Sequence, residues 1–185
     1  MERKLRNNTI KLTKMAMLIA ISIGLVCVIH FPIFPAVPFL EYDPADIPII
    51  IGTFAFGPMQ GLIITLITAV IQGATVSAAS GPYGIIMHIC ATGAYVLAAG
   101  VTYGSNKTKK NAIRAMVVGT LAMTVAMVCA NMIVTPMFTG MPASAVAKML
   151  PMIAAFNLIK AGGNSIVTFF VYKKISDFLH GNTEC

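Results

Sequence analysis

The stretch Phe39-Leu-Glu-Tyr-Asp-Pro-Ala-Asp-Ile-Pro-Ile-Ile-Ile-Gly-Thr-Phe-Ala-Phe-Gly-Pro58 turns an acidic, proline-punctuated connection into a short apolar run. Glu41, Asp43 and Asp46 are half of the 6 acidic residues in the chain. Asp43 precedes Pro44, and Asp46 stands two residues before Pro48. Each carboxylate is therefore placed to accept hydrogen bonds from the free amides that open a helix, with a proline in its first turn. Gly57-Pro58 closes that helix. Residues 47–56 span only about 15 Å at about 1.5 Å per residue, half of a hydrocarbon core of about 30 Å. Such a segment crosses a bilayer only with help from its neighbours. Two readings of the acidic loop stay open here: a capped helix under a surface loop, or the mouth of a ligand site.

Working outward, the whole chain is apolar. Of 185 residues, 57% are hydrophobic and 10% charged, and the mean hydropathy is +0.84. That balance belongs to an integral membrane protein rather than a water-soluble domain. Besides 47–56, apolar segments fall at 15–31, 59–79, 83–103, 112–135 and 152–172. The expected fold class is an all-α membrane protein, six transmembrane helices in one compact bundle. Residues 1–14 read as a basic cytoplasmic N-terminal segment, 15–175 as the six-helix transmembrane domain and 176–185 as a cytoplasmic tail. No cleavable signal peptide is expected from the basic start. Pro32 and Pro35 break the first span, Ser80-Gly81-Pro82 makes a tight turn, and residues 136–151 form a connection with a short helix over 143–150.

The formal charge of +7 raises the question of nucleic acid, and the placement of the basic residues answers it. Six crossings with both termini inside collect Arg3, Lys4, Arg6, Lys11, Lys14, Lys107, Lys109, Lys110, Arg114, Lys173 and Lys174 on one side, eleven of the 13 lysines and arginines. The other side holds only Lys148 against Glu41, Asp43 and Asp46, and Lys160 lies within a span. This is the cytoplasmic enrichment of positive charge, with attraction to anionic headgroups, and it places both termini in the cytoplasm and the acidic loop outside.

Lys160 is the one lysine well inside an apolar segment, where burying a charge costs about 2.5 to 3.5 kcal/mol on insertion scales. Asn157 and Asn164 lie three residues before and four after it, so all three project from one helix face. With Asn131 near the outer end of the preceding span, the stripe reads as the wall of a polar cavity rather than as interhelical glue. His88 stands without a second ligand at metal spacing and reads as a hydrogen-bonded core histidine. Ala16 and Ala20 make a small-residue face on the first span that lets another helix approach closely. Cys27, Cys90, Cys129 and Cys185 show no metal spacing. No phosphate-binding loop, zinc-protease helix or nucleophile elbow is present, and nothing recommends an enzyme.

The motif Phe39-Leu-Glu-Tyr-Asp-Pro-Ala-Asp-Ile-Pro with Phe56-Gly-Pro58, together with Ala155-Phe-Asn-Leu-Ile-Lys160, resembles the riboflavin-specific substrate-binding subunits (S components) of energy-coupling factor (ECF) vitamin transporters. The similarity runs through essentially the whole chain, including the alanine pair of the first segment. It implies a small six-helix membrane protein that captures a vitamin from outside. Delivery would follow association with a transmembrane coupling subunit and two ATPases, with Ala16 and Ala20 facing the coupling subunit. One departure stands in the third helix, where Thr68-Ala69 replaces the Lys-Asn pair that relatives often carry. Riboflavin would be the transported ligand, and no cofactor is expected.

The residue chemistry suits that ligand. Its pyrimidine edge offers two carbonyl acceptors around one N–H donor; a carboxamide supplies donor and acceptor, and a lysine donors only. Asn131, Asn157 and Lys160 are thus assigned to that edge, with Asn164 one turn deeper and less involved. Tyr42, Tyr83 and Phe156 are assigned to the ring faces, and Asp46 or Gln72 to the ribityl hydroxyls. The alternatives are an S component for another flat neutral vitamin, an intramembrane enzyme using Asp43 and Asp46 on metal or phosphate, or a purely structural bundle.

Overall fold

A computed structural model describes residues 2–35, 37 and 40–180, with side chains described for 5–35, 37, 40–78 and 80–172. Phe39 of the opening stretch, the side chains of Lys173 and Lys174, and the last five residues of the expected tail lie outside the described residues.

The stretch that opens the reading is α2, Asp46–Phe56, and it is buried almost all round: Pro48, Ile49, Ile50, Ile51, Gly52, Thr53 and Phe54 all lie inside. A helix that is apolar on every side belongs in the interior of a bundle. It packs against α1 (Glu2–Val28), α3 (Pro58–Ala74), α4 (Gly81–Ser105) and α6 (Ala143–His180). The remaining helix, α5 (Lys109–Thr139), lies between α4 and α6. All six expected helices are present, and α1, α4, α5 and α6 are long and apolar enough to cross a membrane, whereas α2 and α3 are shorter.

Between α2 and α3 the chain reverses at Gly57, whose φ of 103° is a backbone conformation that a side chain resists. Pro58 then supplies the first turn of α3 without wasting an amide. Along α3 the buried residues recur as Gly61, Ile64, Thr65, Thr68, Ala69, Gln72 and Gly73. The outward face carries Ile63, Leu66, Ile67 and Val70. Small and polar residues inside, large aliphatics outside, is the arrangement of a helix whose solvent is lipid.

Several boundaries differ from expectation. The basic segment 1–14 is helical from Glu2 and continuous with the first span, which stops at Val28, before the prolines. No polar break separates Lys14 from Met15, so nothing ends the helical geometry there. α3 ends at Ala74, and a 3-10 turn, Ala78–Ser80, leads into α4. α5 runs through Pro136 to Thr139, where Gly140 takes the left-handed conformation (φ 70°) and its amide donates to the Pro136 carbonyl. The expected short helix over 143–150 and the last span are one helix, α6, with Pro151 inside it. Each proline forfeits one helical hydrogen bond without ending its helix.

The acidic carboxylates do not cap α2 either. Its N-cap is Ala45, with no side-chain cap. Asp43 Oδ1 accepts instead from the Ala45 amide at 3.1 Å, closing a local turn before the helix. Ser22 of α1 donates to the Ala45 carbonyl at 3.0 Å and fixes that turn to the bundle.

Candidate functional site

The connection from α1 to α2 folds over one end of the bundle as a two-stranded ribbon, β1 (Phe31–Pro32) against β2 (Glu41–Tyr42), with Phe31 opposite Tyr42. His30 and Glu41 close its open end through a 2.6 Å contact between Nε2 and Oε2. From β2 the chain dives inward, so that Asp43, Pro44, Ala45 and Asp46 are all buried. Two carboxylates are thereby carried into an apolar bundle, where each must find partners.

They find them on α4 and α6. Lys160 Nζ donates to Asp43 Oδ2 at 2.8 Å, with both side chains almost fully buried. Burial raises the affinity of the Asp43 carboxyl for its proton, but the Lys160 ammonium, together with neighbouring His88 and the Ala45 amide, offsets this and holds the group below the usual carboxylate range. Thr92 donates to Asp46 Oδ1 at 2.7 Å. Asn164 ties the network together: Nδ2 donates to the Asp43 carbonyl at 3.2 Å and to Asp46 Oδ2 at 3.3 Å, while Oδ1 accepts from the Tyr42 hydroxyl at 2.9 Å. Asn157, Lys160 and Asn164 do share one inward face of α6, and all three are buried.

Beside this network lies a cavity of about 140 Å³ between the loop and helices α3 to α6. Asn131, Asn157, Lys160, Gln72, Tyr83 and Phe156 all line it. Residues from four helices, chosen on sequence grounds, thus converge on one space. Asp46 and Tyr42 stand behind the wall, in the network that positions Lys160 and Asn164. Asn131 holds itself in place, donating to the Met127 carbonyl at 2.8 Å and accepting from Thr135 at 2.7 Å. Asn157 donates Nδ2 to the Ile153 carbonyl at 2.8 Å, and its Oδ1 has no hydrogen-bond partner. Gln72 Oε1 and His88 Nε2 are likewise buried without one. His88, read from sequence as a core histidine, is a cavity residue whose Nε2 lies 3.9 Å from Asp46 Oδ1.

Sequence reasoning passed over Thr92, His88 and Phe138, which also line the cavity. Phe138 pairs with Tyr83, ring centroids 5.3 Å apart. It also assigned no partner to Lys160. A signal was present, because a buried lysine needs a counter-charge and the chain offers few acids outside its ends. At the departure on α3, Ala69 lines the cavity while Thr68 is buried with an unpartnered hydroxyl.

Ala16 and Ala20 lie on the exposed face of α1, opposite the core positions Met15, Leu18, Ser22 and Val26. Gly24 extends the same face, and a Cβ built there would meet nothing within 4 Å.

Residues 10–172 match the family described as "ECF transporter, substrate-specific component". The chain belongs to that family. Its relatives include the riboflavin transporter RibU of Staphylococcus aureus (strain TCH60), 29% identical over 176 residues that cover 91% of this chain and 92% of the relative. The riboflavin transporter RibU of Streptococcus thermophilus is 28% identical over 181 residues, 93% of this chain and 85% of that protein. The riboflavin transporter FmnP of Bacillus subtilis (strain 168) is 26% identical over 183 residues, 91% and 93% of the two chains. A solved S component of a bacterial ECF transporter superposes with a TM-score of 0.80 at 28% identity, over 94% of this chain and 99% of that one. This substrate-specific component is accordingly a multi-pass membrane protein, and its cavity lies where the helices and the acidic loop meet.

Proposed function

We propose that this S component captures riboflavin from the outer face of the membrane and surrenders it to an energising module made of a transmembrane coupling subunit and two ATPases. The observation that carries the reading is Asn157 Oδ1, a fully buried acceptor without a protein partner on the wall between Phe156 and Lys160. Such an atom costs about 1 to 3 kcal/mol of lost solvation, which a ligand N–H restores. The pyrimidine edge of a flavin supplies that N–H, flanked by carbonyls.

Lys160 keeps two further N–H groups after pairing with Asp43, and Asn131 keeps one amide N–H. Both can donate to those carbonyls. The rings of Phe156, Tyr83 and Phe138 supply the flat apolar surface that the isoalloxazine system needs. Gln72 on α3 and His88 on α4 offer further unpartnered polar atoms for the ribityl hydroxyls. The orientation follows from charge: the acidic loop and cavity open outward, and Lys107, Lys109, Lys110 and Arg114 face the cytoplasm.

The test is a titration of purified protein in detergent with riboflavin, followed by quenching of flavin fluorescence. Saturable one-to-one quenching is expected. A folded, monodisperse protein that leaves the fluorescence unchanged throughout the titration would remove riboflavin from the reading and leave the family assignment standing.

A further inference from the structure

On the outer surface of the bundle, away from the cavity and the alanine face, α5 and α6 part to form a groove of about 550 Å³. Ile113, Val117 and Leu121 line one side; Leu158, Ile166 and Phe170 line the other. Each of these side chains is exposed. Between them lies Gly162, where a Cβ would meet nothing within 4 Å. The surface is thus concave and apolar rather than the convex row of side chains that ordinary lipid contact produces. α5 and α6 run antiparallel, so Ile113 and Phe170 mark one end and Leu121 and Leu158 the other.

The end marked by Ile113 is charged. Lys110 and Arg114, three before and one after Ile113, lie on the same side of α5 as Val117 and Leu121, and both are exposed. Among the described residues neither forms an ion pair. An apolar trough that lies at acyl-chain depth and ends in two cations is complementary to an amphiphile with a negative head. A partner helix would need no such charged end, and a neutral lipid would gain nothing from it.

We propose that this groove binds an anionic diacyl phospholipid, with one acyl chain along Gly162 between α5 and α6 and the phosphate on Lys110 and Arg114.

The chain contains no tryptophan, so one introduced tryptophan is an unambiguous reporter. Ile166→Trp places it inside the groove, and Val101→Trp on the exposed face of α4 serves as reference. Each variant is reconstituted into phosphatidylcholine vesicles containing an equal mole fraction of acyl-brominated phosphatidylglycerol or acyl-brominated phosphatidylcholine. Quenching of the groove reporter by the brominated anionic lipid should correspond to a preference of about threefold or more over the neutral one. The reference should show none. Lys110→Gln with Arg114→Gln, both at exposed positions, should abolish the preference at Ile166→Trp. Equal quenching by the two lipids in the groove would overturn the proposal, as would a preference that survives loss of both cations or that is equally strong at Val101→Trp.

Discussion

Lys160 Nζ lies 2.8 Å from Asp43 Oδ2 across 117 positions of sequence, so one buried ion pair fastens the acidic loop to the middle of α6. Removing one partner strands the other charge, and that typically costs about 3 to 5 kcal/mol. Lys160→Met alone should therefore lower the melting temperature in detergent substantially. Asp43→Asn combined with Lys160→Met should be less damaging than the sum of the single changes. Additive losses would mean that the two groups do not act as a pair.

The same pair sets a pH dependence. Asp43 is held below the ordinary carboxylate range when folded, so its contribution to stability is fully present above the unfolded value of about 3.9 and is lost as pH falls through the lower folded value. The stability gap between the parent and Asp43→Asn should be constant from neutral pH down to about 5 and should narrow below about 4. A gap that closed already at pH 6 would contradict the assignment to Asp43.

Asn157 and Asn164 sit on one helix face but should fail differently. Asn157→Ala removes the unpartnered acceptor and should weaken riboflavin binding by about 5-fold to 150-fold, or about 1 to 3 kcal/mol, with little change in stability. Asn164→Ala removes three hydrogen bonds to Tyr42, Asp43 and Asp46, and should reduce stability first. Calorimetry beside fluorescence titration separates the two. Identical profiles for both variants would erase the distinction.

On α1, Ala16→Trp with Ala20→Trp should block association with the coupling subunit and abolish uptake in cells while leaving riboflavin affinity unchanged, because both alanines are exposed in the free subunit. Co-purification gives the readout. If riboflavin affinity fell in parallel with association, the alanines would be packing residues of the bundle itself.

For orientation, Ser105→Cys is introduced into a background without Cys27, Cys90, Cys129 and Cys185. It should resist an impermeant thiol reagent on intact cells and react once the membrane is opened. Labelling of intact cells would invert the topology.

Much of this architecture was legible because each signal was local. Charge segregation and apolar run length gave six helices, and the i, i+3, i+7 spacing gave the inward stripe of Asn157, Lys160 and Asn164. Gln72, Tyr83, Asn131 and Phe156 were placed near that stripe by polarity or ring chemistry, and all reach the same cavity. What was not legible depended on pairing at long range. Asp43 and Asp46 have the spacing of helix caps, and only tertiary structure diverts them to Lys160, Thr92 and Asn164. His88 looked inert because its neighbours, Asp46 and Lys160, are distant in sequence. Pro136 and Pro151 carry the ordinary signature of helix ends, yet each lies inside a continuous helix.

The reversal at Gly57 bears on how the protein is made. α2 has 11 residues, about 16 Å of helix, and carries Asp46 into the interior, so it is a poor candidate for insertion on its own. Joined to α3 by a turn with no intervening loop, it can settle in the bilayer as one limb of a helical hairpin, with Gly57 at the cytoplasmic end of the pair. A bulky residue at 57 would then act during biogenesis, before any cargo is met, leaving chains with α2 stranded at the surface. Protease protection of nascent chains carrying Gly57→Val, against the parent, would reveal that defect even if the few correctly inserted molecules still bound their ligand.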